Sequence, residues 1–198
     1  MEYKRKLTYK DYKKKEYKDL KDFFCGELMS SIINGQVKEQ LRKGDQSRVW
    51  LLFARDDSKS WECLQVGQSK NNVDSEIGTI LDYLVLEKKN VTQKKNSAFY
   101  QNVCPEGSEE EYRNNLYSMI GQKFSNFKIC FLDVDKYLTI GQLNAQNDSD
   151  IIIEICKNQY AEAKAAFETM AVYWRAYAPG IDGQTIAYIT DNKDRFGL

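Results

Sequence analysis

The chain contains no histidine among its 198 residues. Imidazole is the usual proton acceptor beside a nucleophilic serine or cysteine, and it is also a common zinc ligand. Histidine-dependent triads, histidine zinc sites and imidazole proton shuttles are therefore excluded. Any general base has to be a carboxylate, a lysine, a tyrosine or a metal-bound water, and a divalent metal would be a hard ion held by carboxylates.

Other absences narrow the class of protein further. No apolar run approaches the roughly 20 residues that a bilayer span requires, and the N-terminal sequence MEYKRK lacks the apolar core of a signal peptide. We therefore expect a cytoplasmic protein without a membrane partner. Neither a GxxxxGK[ST] phosphate loop nor a GxGxxG fingerprint occurs. The five cysteines stand at no metal-site spacing and predict buried thiols.

The net charge of zero hides an uneven distribution along the chain. The totals are 29 basic and 29 acidic residues, but residues 1–21 carry nine basic and four acidic ones, which leaves −5 for the remainder. Four tyrosines lie in the same segment. A helix of lysines and tyrosines can contact phosphates and stack with bases, so Lys13, Lys14 and Lys15 are candidates for nucleic-acid binding. The alternative is a solvated helix face whose tyrosines cover the core.

Hydrophobic periodicity predicts an α+β fold, a small mixed β-sheet flanked by helices. Residues 1–44 are expected to form a basic helical N-terminal extension, with apolar residues at helical spacing on both sides of Asn34-Gly35. Residues 45–198 are expected to form the α+β domain. Its predicted elements are a hairpin of strands 48–54 and 61–66, a helix 74–88, a basic loop 89–107, a helix beginning at Ser108, strands 127–132 and 151–156, a helix 160–177 and a strand near 185–189.

The hairpin and the residues after it resemble the opening of the GIY-YIG nuclease family. Two strands lead to Gly67 and to the run VGQSKN, and a helix follows. The predicted strand 151–156, followed by a helix that carries Glu168, is similar to the closing unit of that family. The positions of the two motif tyrosines hold Trp50 and Gln65, and the motif arginine of the helix is missing.

The resemblance implies a site for Mg²⁺ or Mn²⁺ in which Glu168 is the metal ligand. It implies further that Ser69 and Lys70, in the catalytic turn close to Gly67, contact a phosphate. Because tryptophan and glutamine cannot assist an attacking water as tyrosine does, Tyr83 or Tyr100 would have to take that role. Without such a replacement, the fold is kept and the reaction is lost.

A second nuclease arrangement is weaker. Asp133, Asp135, Glu154 and Lys157 invite comparison with the PD-(D/E)xK family, but that family needs its acidic residue and lysine two apart on a strand. Glu154 and Lys157 are three apart, and a regular strand would direct them to opposite faces. The two aspartates more simply end a strand and cap the next turn.

Two functions follow from the sequence. The first is a nucleic-acid-associated protein with a degenerate GIY-YIG-like nuclease domain, active as a divergent metal-dependent endonuclease or inactive. The alternative is a non-catalytic regulator or inhibitor from a phage or mobile element that binds a protein partner. In that case Glu168 is a surface glutamate that pairs with Lys164 or Arg175 on one helical face.

Overall fold

The computed structural model describes residues 5–6, 14–33, 36–44, 47–56, 60–69, 73–84, 117, 120–138, 150–178 and 185–191. The strands in these ranges are β1 (Arg5–Lys6), β2 (Phe24–Ile33), β3 (Gln36–Gly44), β4 (Val49–Arg55), β5 (Glu62–Gln68), β6 (Asn126–Leu132), β7 (Tyr173–Ala178) and β8 (Thr185–Asp191). The helices are α1 (Tyr17–Leu20), continued by a 3₁₀ turn (Lys21–Phe23), α2 (Val73–Leu84), α3 (Val134–Leu138) and α4 (Asp150–Thr169). Tyr117 and residues 120–123 are also helical. None of the helices in these ranges is long and apolar enough to cross a bilayer.

The strands form one mixed sheet in the order β1-β8-β7-β5-β4-β6-β2-β3. Two neighbouring pairs, β1 with β8 and β5 with β7, are parallel, and the other pairs are antiparallel. Helices lie against both faces of this sheet. The predicted α+β fold is therefore confirmed.

The central strands bury side chains on both faces because successive residues point to opposite sides. One set packs against α2, and we call this side the α2 face: Trp50, Leu52, Phe127, Ile129, Phe131, Ile77, Ile80 and Leu84. The other set packs against α4, and we call this side the α4 face: Val49, Leu51, Phe53, Cys130, Leu132, Ala161, Ala165 and Ala166.

Several predicted elements are confirmed. The hairpin is β4 with β5, the helix after it is α2, the strand 127–132 is β6 and the last predicted strand is β8. Cys25, Cys63 and Cys130 are thiols, of which the last two are buried. The basic loop 89–107 and the first turns of the helix beginning at Ser108 lie outside the described residues.

The predicted helical structure of residues 25–44 is wrong, because this segment forms β2 and β3. The apolar residues have a spacing that also fits a helix, but Leu28 pairs across strands with Ile129 and packs in the core of the α2 face. Pairing of Ile33 with Gln36 leaves only Asn34-Gly35 between the strands. An Asn-Gly pair at this position is typical of a two-residue hairpin connection. Both strands belong to the same sheet as β4 to β6.

The predicted strand 151–156 is also wrong, since these residues are the first turns of α4. A short apolar run rich in isoleucine fits a buried strand or a buried helix equally well by periodicity. The same helix ends at Thr169 and not at residue 177. Met170 has a φ of 50°, and the N–H of Ala171 donates to the carbonyl of Ala166 at 3.0 Å. This left-handed end turns the chain into β7 without a glycine.

Candidate functional site

Residues 14–19 lie against the α4 face, and we call them the N-terminal strap. The N–H of Lys15 donates to the carbonyl of Glu168 at 2.6 Å. Only the single turn of α1 is helical, and the N–H of Glu16 is held by Asp19 Oδ2 at 2.8 Å. Leu20, which follows the strap, is fully buried. In the described residues, the predicted basic helix is therefore a single α-helical turn that continues into the 3₁₀ turn Lys21–Phe23.

Three donors surround the Glu168 carboxylate at the C-terminal end of α4. The Tyr137 hydroxyl donates to Oε2 at 2.5 Å. Oε1 lies 2.9 Å from Lys15 Nζ and 3.2 Å from Lys164 Nζ. Lys164 Nζ also lies 3.8 Å from the centroid of the Tyr137 ring, which is a cation–π distance. We call these four residues the Glu168 cluster.

The electrostatics of this cluster favour an ionised Glu168 and a neutral Tyr137. Partial burial acts to raise the pKa of Glu168, but hydrogen bonds from Tyr137 and Lys15 and the charge of Lys164 outweigh it and lower the pKa. Burial, followed by the hydrogen bond to Glu168, raises the pKa of Tyr137 far above its ordinary value. The carboxylate is therefore held in its charged form by the hydrogen bond from Tyr137 and by the two neighbouring ammonium groups.

These residues do not fit the Mg²⁺ or Mn²⁺ site that the resemblance implies. A hard divalent cation needs several oxygen ligands with lone pairs directed at it. Around Glu168 the neighbouring groups are two ammonium groups and a hydroxyl that donates its proton. The ammonium charges would repel a cation. Across the described ranges, no three Asp, Glu or Cys side chains come together in a group that could hold a metal.

The structure does not bring Ser69 to Glu168. The N–H of Val172, just after α4, donates to the carbonyl of Cys63 at 3.3 Å, so the end of α4 lies at the beginning of β5. Ser69 directly follows the other end of β5, six residues beyond Cys63, which corresponds to about 20 Å. Ser69 is 3% exposed, and its N–H donates to the Arg48 carbonyl at 2.8 Å. Ser69 and Glu168 therefore cannot contact the same phosphate.

The positions of the two motif tyrosines lie in the sheet. Trp50 Nε1 donates to Glu76 Oε2 at 3.0 Å, and the indole packs over Gly67, the residue paired with it on β5. Gln65 is 5% exposed, and its Oε1 accepts no hydrogen bond from the part of the chain that the structure describes. Neither side chain can act on a water as a tyrosine would. Tyr100 lies outside the described residues, as does the side chain of Tyr83.

The lysines proposed for nucleic-acid binding have different surroundings. Lys14 Nζ forms an ion pair with Glu62, and Lys15 belongs to the Glu168 cluster. Lys13 and Lys70 lie outside the described residues. The two lysines that are described therefore neutralise carboxylates of their own chain.

Three residues of the second nuclease arrangement, Asp133, Asp135 and Lys157, also have structural partners. Asp133 Oδ1 accepts from the N–H of Lys136 at 3.1 Å and so caps α3, as predicted. Asp135, for which the same role was predicted, lies inside α3. Lys157 Nζ pairs with Asp135 at 3.2 Å on the exposed side of α4. Because Glu154 and Lys157 are both in this helix, the strand geometry of the PD-(D/E)xK family is absent from them.

A second polar cluster on the α4 face was not predicted. Lys128 is in the middle of β6, and its side chain is only 10% exposed. Its Nζ lies 2.5 Å from Glu27 Oε1, as an ion pair whose angles are not those of a hydrogen bond, and it donates to the Tyr17 hydroxyl at 3.0 Å. The same ammonium lies 4.2 Å from the Tyr17 ring centroid and 4.9 Å from that of Trp61. The sequence signal for this cluster was the single lysine inside the otherwise apolar strand NFKICFL.

Tyr17 joins the strap to this second cluster, which we call the Lys128 cluster. Its hydroxyl donates to Glu27 Oε2 at 2.9 Å. Its ring lies 5.5 Å from Phe53, 5.8 Å from Phe24 and 6.0 Å from Trp61, measured between centroids. Burial, followed by the bond to Glu27, raises the pKa of Tyr17 well above its ordinary value. The phenol is therefore neutral at physiological pH.

Comparisons with known proteins add no relative. No family model, no curated protein and no solved structure matches this chain.

Proposed function

We propose that the chain is a non-catalytic protein-binding regulator whose α4 face binds a peptide segment. The observation that carries this proposal is the position of the N-terminal strap on that face. The strap makes two ion pairs through Lys14 and Lys15, a main-chain hydrogen bond to Glu168 and an aromatic insertion through Tyr17. Bound peptides are recognised by the same kinds of contact. The strap is thus an internal occupant of a peptide-binding surface.

The surroundings of the charged residues support binding over nuclease chemistry. Glu168, the one candidate metal ligand, is occupied by Tyr137 and by two ammonium groups. Lys14 and Lys15 would have to leave their carboxylates before they contacted phosphates. Each such exchange removes part of the electrostatic gain on which nucleic-acid binding depends.

Apart from those of Tyr17, the contacts of the strap are individually weak, so a segment that replaces Tyr17 can exchange with it. Lys14 and Lys15 keep 29% and 39% of their side-chain exposure, and ion pairs of this kind contribute about 0–1 kcal/mol each. The single turn of α1 is too short to be stable by itself. Release of residues 14–19 therefore costs less than unfolding of the sheet. A partner segment has to compete with a tethered one, whose effective concentration is of millimolar order.

The test is binding of a strap peptide in trans. A fluorescein-labelled peptide of residues 12–22 is titrated with the full chain and with the double variant Lys14→Glu/Lys15→Glu, and fluorescence anisotropy is measured. Because the variant opposes Glu62 and Glu168 with like charges, its own strap is released. We expect the variant to bind the peptide about tenfold or more tightly than the unmodified chain.

A matched control uses two exposed lysines next to the strap contacts. Lys18→Glu/Lys21→Glu changes the net charge by the same amount, but both side chains are exposed, and Lys18 pairs with Glu16 of the strap itself. This variant should bind the peptide as the unmodified chain does. If neither double variant binds the peptide, or if both bind it equally, the α4 face is not a peptide-binding surface.

Cleavage assays test the opposite assignment. The chain is incubated with duplex and single-stranded DNA and RNA in the presence of Mg²⁺ or Mn²⁺, and the products are separated by electrophoresis. We expect no cleavage. Cleavage that is lost in Glu168→Gln would instead support the nuclease function and overturn this proposal.

A further inference from the structure

The surroundings of Tyr17 form a pocket that matches every part of a phenol. Three aromatic rings, those of Phe24, Phe53 and Trp61, surround the tyrosine ring. At the hydroxyl, Lys128 donates and Glu27 accepts. A phenol oxygen has one proton to give and lone pairs to receive, so both of its hydrogen-bonding functions are satisfied. We call this arrangement the Tyr17 pocket.

The walls of the pocket belong to the sheet and not to the strap. Phe24 and Glu27 are on β2, Phe53 is on β4 and Lys128 is on β6. Trp61 directly precedes β5 and is held by Arg55, whose guanidinium carbon lies 4.6 Å from its ring centroid. The recognition groups therefore remain in place when residues 14–19 leave.

We propose that the Tyr17 pocket is the recognition site for a tyrosine side chain in a partner segment, and that Tyr17 closes it in the unbound chain. This inference rests on the proposed peptide-binding function and names the residue that the surface selects. The partner tyrosine takes the same two hydrogen bonds, from Lys128 and to Glu27. Displacement of the strap is then an exchange of one phenol for another.

The pocket distinguishes tyrosine from its nearest relatives. A phenylalanine ring would leave Lys128 and Glu27, both largely buried, without their hydroxyl partner, and sites built around a hydroxyl reject analogues that lack it. A phosphotyrosine would bring its negative charge against the Glu27 carboxylate. The selected class is therefore an unphosphorylated tyrosine, and phosphorylation of the partner would prevent binding.

The direct test uses the full-length Tyr17→Ala variant, in which the pocket is vacated. N-acetyl-tyrosine amide, N-acetyl-phenylalanine amide and N-acetyl-phosphotyrosine amide are titrated in turn by calorimetry. We expect the tyrosine amide to bind about tenfold or more tightly than the other two, because phenylalanine lacks the hydrogen bonds to the charged groups and phosphotyrosine brings a negative charge against Glu27. Equal binding of the tyrosine and phenylalanine amides, or no binding to the folded variant, would overturn the inference.

Hydrogen exchange in the unmodified chain provides a second measurement if the variant does not fold. The Lys15 amide is bonded to Glu168 and reports on strap release, whereas the Leu51 amide is in the central strand. Saturating tyrosine amide should accelerate exchange at Lys15 and leave Leu51 unchanged, since it stabilises the released state. The phenylalanine amide serves as the control. No acceleration at Lys15, or the same acceleration with both amides, would contradict a tyrosine site.

The two proposals fail in different ways. If the labelled strap peptide binds equally well when its tyrosine at position 17 is replaced by phenylalanine, the α4 face binds peptides but the tyrosine site is wrong. If neither form of the peptide binds, the peptide-binding function fails as well.

Discussion

The Lys128 cluster and the Glu168 cluster contain the same three residue types in the same relation. In each, a tyrosine hydroxyl donates to a glutamate, at 2.9 Å for Tyr17 and 2.5 Å for Tyr137. In each, a lysine lies over the tyrosine ring and pairs with that glutamate. The strap contributes the aromatic ring to the first cluster and an ammonium group to the second.

The two clusters differ in how deeply their lysines are buried and in how many lysines pair with the glutamate. The Lys128 side chain is 10% exposed and is the one cation paired with Glu27 in the described part of the chain. Around Glu168, the ammonium groups of Lys15 and Lys164 share Oε1 and are 39% and 29% exposed. A buried single pair is costly to break, whereas a half-exposed duplicated one is not. The Lys128 cluster should therefore dominate the stability of this face.

The largest effect is expected for Lys128→Met. The substitution leaves the Glu27 carboxylate partly buried without its cation, and the free energy of unfolding should fall by about 2–4 kcal/mol. The matched substitution Lys164→Met leaves Lys15 on the same carboxylate oxygen and should cost less than about 1 kcal/mol. Urea denaturation of both variants measures the two losses. Equal losses would remove the distinction between the clusters.

Removal of the tyrosine hydroxyls should also lower the free energy of unfolding by different amounts in the two clusters, but the difference should be smaller. Tyr17→Phe leaves both Lys128 and Glu27 short of a hydrogen bond, so we expect a loss of about 2 kcal/mol. Tyr137→Phe leaves Glu168 with two ammonium groups and should cost about 1 kcal/mol. Chemical denaturation at neutral pH gives both values. A greater loss for Tyr137→Phe would show that the shorter hydrogen bond is the more important one.

The acid dependence of stability isolates Glu168. Its pKa in the folded chain is below the ordinary value of 4.5, so the unfolded chain takes up the proton first as the pH falls. The stabilisation is present above pH 4.5 and is lost as the pH falls through the folded pKa. Glu168→Gln lacks this contribution, and its difference from the unmodified chain should shrink below pH 4.5. Unfolding measured from pH 7 to pH 3 tests this; a constant difference would contradict it.

The smallest effect is expected for Lys15→Met. The ammonium is half-exposed and Lys164 remains beside Glu168, so the loss should be about 0.5 kcal/mol or less. Because exposed charges are screened, the loss should disappear in 1 M salt, where the Debye length is about 3 Å. Melting curves at low and high salt provide the measurement. A loss that persists in high salt would indicate a packing contribution from the lysine stem.

The parts of the fold that could be predicted are the segments whose local sequence pattern agrees with their burial in the folded chain. The strands β4 and β6 are continuous apolar runs, and α2 has apolar residues at helical spacing, so local pattern and tertiary burial agree. In residues 25–44, the local sequence pattern and the burial in the folded chain disagree. These residues fit a helix locally, while the Asn34-Gly35 signal for a hairpin could have corrected the assignment.

The end of α4 and the two clusters could not be predicted. Met170 takes the left-handed conformation that usually marks a glycine, so the sequence carries no stop signal there. Lys128 meets Tyr17 across 111 residues of chain. A contact of that separation depends on the complete sheet order, which periodicity does not determine. Glu168 pairs with Lys164, one of the two partners predicted for it, whereas the other, Arg175, is in β7 and not on the helix. The contacts of Glu168 with Lys15 and Tyr137 needed the structure.

The packing of Trp50 against Gly67 has a consequence for how relatives of this chain could be recognised. A Cβ on residue 67 would lie 2.8 Å from Cε2 of the indole, so the space that an alanine needs is already filled. The glycine is therefore explained by the volume of its cross-strand neighbour, without a turn or a phosphate. A larger side chain at position 67, even alanine, therefore requires a smaller side chain than tryptophan at position 50. We therefore expect chains that share this fold to change positions 50 and 67 together, which preserves the strand register, even where no motif is left to align.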